Sequence, residues 1–330
     1  MTEAWWISAI KAFVIINLLL GTFAYTTLIE RKVMGRMQRR YGPNRAGPFG
    51  LLQPIADLVK LIRKESFFPV AAINVPYILA PLIPAVTALA AFAVIPWGPG
   101  WNVYGHTVTG QIVDVPIALL LVFALGSIGI YGFLVGGWAS ESKYSLLGSM
   151  RTAAQLVSYE VSLALAVIGV VFLVGSLSLT DIVAYQANNM WLIVPQLVGF
   201  LVFFVAGVAE TNRAPFDLPE AEQELVAGYH TEYGGMRWGL FQMAEYINMI
   251  TISALTVTLF LGGWTGPGDT DWLGPLWFVL KLALVVFVFI WMRTTLPRLR
   301  YDQLMSFGWK VLLPVATLNA LVTAVVVVWR

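Results

Sequence analysis

An all-α polytopic membrane protein is the fold class this chain predicts, and three observations carry the prediction. Hydrophobic residues make up 58% of its 330 residues and charged ones only 12%, with a mean hydropathy of +0.77. A soluble domain carries about twice that charged fraction. Next, eight largely apolar stretches approach or exceed the ~20 residues that cross a bilayer core: about 5–30, 74–96, 115–138, 153–175, 190–211, 238–264, 274–293 and 311–329. Finally, the segments 31–64, 139–152, 212–238 and 293–310 hold 17 of the 20 Lys and Arg, whereas 97–114, 176–189 and 265–273 hold none. That asymmetry predicts basic loops in the cytoplasm and both termini outside. The whole of 1–330 therefore reads as a single integral membrane domain.

The first span opens at Trp5. Met1 to Trp6 carries an acid and no base, and the apolar run continues to Leu28 without a small-residue cleavage motif, so a secretory signal is not expected. Breakers such as Gly98-Pro99-Gly100, Gly266-Pro267-Gly268 and Leu296-Pro297 separate later spans. Lys11 and Lys281 fall near outer span ends, where they could snorkel. Tryptophans at 5, 6, 97, 101, 138, 238, 264, 309 and 329 mark span boundaries. No internal repeat stands out, which disfavours repeat-built transporter folds.

Cysteine is absent. That excludes disulfides, iron–sulfur clusters and thiol catalysis within this chain. His106 and His230, on opposite sides of the predicted membrane, cannot form one metal site. No phosphate-binding glycine loop is present, and no nucleic-acid partner is expected.

The long segment after the first span contains an amphipathic helix. Leu51, Leu52, Ile55, Leu58, Val59 and Ile62 share one face, opposite Gln53, Asp57, Lys60 and Lys64. It is suited either to the membrane interface or to packing on the protein's own spans. Between Arg213 and Arg237 lie Asp217, Glu220, Glu222, Glu224 and Glu232 with no base among them. In a helix Glu220 and Glu224 would share a face and repel, and in an extended segment Glu220, Glu222 and Glu224 would all project to one side. Glu30, Glu160, Glu210 and Glu245 fall in or at the end of four different spans, all toward the basic side. Intramembrane carboxylates are expensive and usually line an aqueous path or proton relay.

The motifs then become specific. Leu28-Ile29-Glu30-Arg31-Lys32, the run Gly42 to Pro54, Lys143 to Gly148, Ala209 to Leu225 and Arg298 to Leu304 resemble the H-type membrane component of proton-pumping NADH:quinone oxidoreductase, respiratory complex I. The likeness runs from about the first span to the last. Anchor subunits of membrane-bound hydrogenases are more distant relatives, and a stand-alone ion transporter is the other alternative. The resemblance implies a membrane subunit, not catalytic alone, that forms much of the quinone chamber. Quinone is then the substrate, and FMN and iron–sulfur clusters lie only in partner subunits. It implies as neighbours the peripheral quinone-module subunits on the cytoplasmic side, small membrane subunits, antiporter-like subunits and lipid. A bacterial cytoplasmic membrane is favoured over the mitochondrial inner membrane. It assigns Glu30, Glu160, Glu210, Glu245, Glu220, Glu222 and Glu224 to the proton path. Arg31, Arg40, Lys60, Phe216 and Asp217 match positions in or near quinone entry. Ser127 stands where some family members carry a further glutamate.

Overall fold

The computed structural model describes residues 5–103, 106–217, 226–268 and 271–329. In chain order the helices are α1 (Trp5–Met37), α2 (Gln53–Arg63), α3 (Asn74–Leu79), α4 (Leu82–Ala91), α5 (Ala118–Ala139), α6 (Lys143–Val174) and α7 (Leu179–Asn188). They continue with α8 (Leu197–Glu210), α9 (Gly235–Phe260), α10 (Gly274–Thr295), α11 (Tyr301–Phe307) and α12 (Leu313–Val328). A two-stranded hairpin, Trp101–Val103 with His106–Val108, is an addition to the all-helical expectation. It pairs backbone groups of the 97–114 segment with each other.

Seven helical stretches are long and apolar enough to cross a membrane among the described residues, against the eight expected. The exception is the fifth: α8 has 14 residues, about 21 Å at 1.5 Å per residue. Its expected first turns are diverted. Gln186 of α7 accepts the Leu192 N–H at 3.1 Å and Ile193 N–H bonds to Phe260 O at 3.0 Å, so that backbone is satisfied without helix. Elsewhere the helices outrun the apolar signal. α1 carries Arg31, Lys32 and Arg36 on its own last turns, α6 starts at Lys143, and the last span is helical from Tyr301, through a π turn at Gly308–Leu312. Charged residues end a hydropathy window but not a helix, because Lys and Arg are good helix formers.

α9 is the axis of the bundle: 89% of its most apolar window is buried, against 22% for α1, α10 and the last span. Those outer helices keep their apolar faces for lipid or neighbours. The ends of the bundle opposite the basic segments are closed by the two lysines, which are engaged by backbone carbonyls. Lys11 is 9% exposed and its Nζ donates to Thr109 O, Thr109 Oγ1 and Gln111 O. Lys281 donates to the carbonyls of Leu261, Gly263 and Thr265, just past the α9 C-terminus, and sits 4.5 Å from the Trp191 ring centroid. A cation suits the negative end of a helix.

α2 forms as expected, and its packing decides between the interface and the protein's own spans. Ile55, Leu58, Val59 and Ile62 are all exposed, so this face is not packed on the chain's own spans. Pro54, by contrast, is buried, and Leu61 approaches Gly239 of α9. Leu58→Lys is therefore expected to cut the yield of membrane-assembled protein severalfold, since a charge among apolar groups costs several kcal/mol. Lys64→Ala, on the polar edge, should leave that yield within error. Quantifying both in purified membranes checks this, and equal losses would remove the apolar face from its role.

Candidate intramembrane acid site

Four acids on four helices converge around α9, and they fall into two groups of different chemistry. Glu30, 3% exposed near the basic end of α1, accepts a hydrogen bond from Tyr246 Oη at 2.6 Å and pairs with Arg293 of α10. Arg213 lies 4.0 Å above the Tyr246 ring centroid and also acts on Glu30 electrostatically. A carboxylate so buried needs compensating cations, and two arginines supply them. This group is built around an ion pair and a tyrosine hydroxyl.

The second group is built differently. Glu160 of α6 accepts a short hydrogen bond from Ser127 of α5. Glu245 of α9, 2% exposed, accepts one from Tyr229 Oη at 2.8 Å. Glu210, the last residue of α8, lies close enough to Glu160 for their charges to interact, and its Oε2 is enclosed without a hydrogen-bond partner among the described residues. No Lys or Arg pairs with Glu160 or Glu210 among those residues. A small cavity is lined by both Glu210 and Glu245, together with Asn212 and Asn248. A second lies against Glu210, Asn248, Thr251 and Thr87. Gly126 borders both, and a Cβ there would come within 3.5 Å of Glu210 Oε1. Intramembrane carboxylates beside small cavities that hold amide and hydroxyl groups usually line an aqueous path or proton relay.

The scaffold around this group is polar, and part of it is spent on backbone carbonyls. Gln155 Nε2 bridges Ala209 O at 2.8 Å and Phe216 O at 2.9 Å, fixing the chain as it leaves α8. The Phe216 ring is 3% exposed and packs on Tyr159, 5.6 Å between centroids. Its place is thus in the core. Asp217 is half-buried at the start of that loop. Glu220, Glu222 and Glu224 lie outside the described residues. Near the loop's far end Tyr233 is stacked on Tyr77 at 4.3 Å, and burial pushes its hydroxyl well above the ordinary tyrosine range.

The remaining predicted residues lie on the surface. Arg31 Nη1 meets Asp57 Oδ2 at 2.7 Å, which ties α1 to α2. Asp57 also accepts from Gln53 at 2.9 Å. Arg40 Nε donates to Gln38 at 2.9 Å, and Lys60 is exposed on α2. Sequence reasoning did not single out Arg293, Tyr229, Tyr246 or Ser127 as partners of the acids. The signal was available in part, since a buried carboxylate requires a donor or cation at the same depth, and Arg293 ends a span on the basic side as Glu30 does.

Comparison with known proteins gives a consistent result. The family described as NADH dehydrogenase matches residues 10–324. The H-type component of NADH-quinone oxidoreductase from Deinococcus deserti is 53% identical over 325 residues, covering 96% of this chain and 83% of its own. Subunit 8 of NADH-quinone oxidoreductase from Thermus thermophilus is 52% identical over 325 residues, covering 98% and 88%. The H-type component from Thermomicrobium roseum is 50% identical over 333 residues, covering 98% and 96%.

Proposed function

We propose, from the premise that this chain belongs to the NADH dehydrogenase family as a homologue of the H-type component of NADH-quinone oxidoreductase, that it couples quinone reduction to proton movement in a bacterial cytoplasmic membrane. In this reading the chain is a subunit of respiratory complex I. It walls part of the quinone chamber, holds no redox group itself, and receives electrons indirectly through partner subunits that carry FMN and iron–sulfur clusters. Its basic loops face the cytoplasm and its termini the outside, following the Lys and Arg asymmetry. Peripheral subunits cover the cytoplasmic loops, and small and antiporter-like membrane subunits border the exposed outer helices.

One observation carries the coupling: Glu210 and Glu245 border one cavity, and Glu160 lies within electrostatic reach of Glu210. Reduction of a quinone takes up two protons and so places a charge demand at the chamber. The loop acids Glu220, Glu222 and Glu224 lead in sequence from Glu210 to that region. Glu160, Glu210 and Glu245 then pass the change in charge along the membrane. Ser127, where some relatives carry a glutamate, cannot ionise, and its hydroxyl serves Glu160 as a hydrogen-bond partner. Glu30 sets the local potential through its arginines rather than shuttling a proton.

Quinone entry between the basic end of α1 and α2 is supported by the Arg31–Asp57 tie, the bare apolar face of α2 and the nearby Arg40 and Lys60. A partly exposed pair contributes about 1 kcal/mol or less. Arg31→Ala is therefore expected to raise the apparent quinone KM, by roughly fivefold at most, with NADH-to-ferricyanide electron transfer unchanged. Asp57→Asn should reproduce the effect, and Arg40→Ala should act in the same direction. Wild-type quinone kinetics in all three variants would place the route elsewhere.

A further inference from the structure

The second cavity at Glu210 contains a feature that the proton path as described does not use. α9 presents Glu245, Asn248 and Thr251 at successive intervals of three residues, one stripe along a helix. Apart from Thr87, Asn248, Thr251 and Glu210, the walls of this cavity are apolar or glycine. Thr251 is 3% exposed, yet its Oγ1 makes no hydrogen bond among the described residues. Its neighbours on the same helix behave otherwise. Ser253, Thr256 and Thr258 each donate to the carbonyl four residues back, at 2.7, 2.7 and 2.8 Å. That back-bond is the ordinary fate of a buried helical hydroxyl. Thr251 alone of the four leaves its hydroxyl unspent, on the cavity that Glu210 also lines.

Thr251 and Glu210 thus line one small space, and each carries a buried oxygen, Oγ1 and Oε2, without a hydrogen-bond partner among the described residues. Buried polar groups are otherwise satisfied by protein or by ordered water. The cavity measures about 20 Å³, which admits about one water given the ~10–15 Å³ minimum. Thr87 donates to Ile83 O or Pro84 O and retains accepting capacity, and Asn248 can donate and accept. A water there has the two to four polar partners it requires.

We infer that this cavity is a hydration site for Glu210, in which Thr251 and Asn248 hold the water that solvates the carboxylate when it is charged. Thr251 is a positioning residue: it touches neither quinone nor the transferred proton, and acts through the water. The inference rests on the relay reading above and adds to it a requirement. Glu210 is served from its apolar side as well as from the cavity it shares with Glu245.

The test is Thr251→Val, which keeps the shape and removes the hydroxyl, in the intact complex with rates taken per assembled complex. Quinone-coupled kcat and proton translocation are expected to fall about tenfold with quinone KM unchanged, and Thr251→Ser is expected to restore both. In redox-induced infrared difference spectra, the carboxyl band that Glu210→Gln abolishes should shift in Thr251→Val, a change that a packing defect would not produce. Thr251→Ala serves as a second hydroxyl-free variant where Val lowers assembly. Parental kcat and an unshifted band in the hydroxyl-free variants, alongside an impaired Glu210→Gln, would overturn the inference and leave the relay standing. A fully active Glu210→Gln would overturn the relay and this inference with it.

Discussion

Glu210→Gln is expected to yield a normally assembled complex whose quinone reductase activity and proton pumping both fall by about a hundredfold, the low end for loss of a positioned proton-transfer group. Glutamine keeps the size and hydrogen-bonding capacity of the side chain and removes only its ability to change charge. Glu210 ends α8, borders both small cavities and interacts with Glu160, so a step past it must pass through or around it. Glu210→Asp, still ionisable, should retain more of both activities. Paired measurement of NADH:quinone turnover and proton uptake in proteoliposomes checks the claim. Should the glutamine variant pump and turn over like its parent, Glu210 is a structural residue and the protons run elsewhere.

Arg293→Met should act on assembly rather than on turnover. It leaves Glu30, 3% exposed, without its direct ion-pair partner, and breaking a buried pair costs about 3–5 kcal/mol. The lower end applies here because Arg293 is itself 26% exposed and Arg213 still acts on Glu30. Most of the complex should then be lost at growth temperature, as read from its band on native gels. Glu30→Gln combined with Arg293→Met removes both charges of the pair and should recover a substantial part of the yield. If Arg293→Met assembles at the parental level, the pair does not hold α1 to α10.

Much of this was legible in the chain itself, and the reasons are physical. Hydropathy located the spans because lipid demands unbroken apolar stretches, and it failed at their ends because charge is compatible with helix. The shortening of α8 was hidden, since nothing in Met190–Gln196 announces that Gln186 and the Phe260 carbonyl will take the Leu192 and Ile193 N–H groups. The four acids stood out because carboxylates are rare in spans. The partner each of them finds depends on side chains far apart in sequence, such as Glu30 with Arg293 and Ser127 with Glu160. The fate of Lys11 and Lys281 was misjudged, because snorkelling is the default for a lone lysine and the carbonyls that capture each one belong to other segments.

Those two lysines have an electrical consequence. Lys11 and Glu30 are 19 residues apart on one straight helix, roughly 28 Å along its axis. The end of the bundle that holds Lys11 and Lys281 directs both ammonium groups onto backbone carbonyls. Between them and the acids lies mostly apolar packing. On the proposed reading, that half would act as an insulator, and most of the membrane voltage would fall across it. A charge crossing the full membrane exchanges about 2.3 kcal/mol per 100 mV, but one moving among Glu160, Glu210 and Glu245 stays on the acid side of the insulator and exchanges little. Charge shifts at these residues would therefore be nearly blind to the membrane potential, and work against the voltage would be done where protons leave this chain sideways for its neighbours.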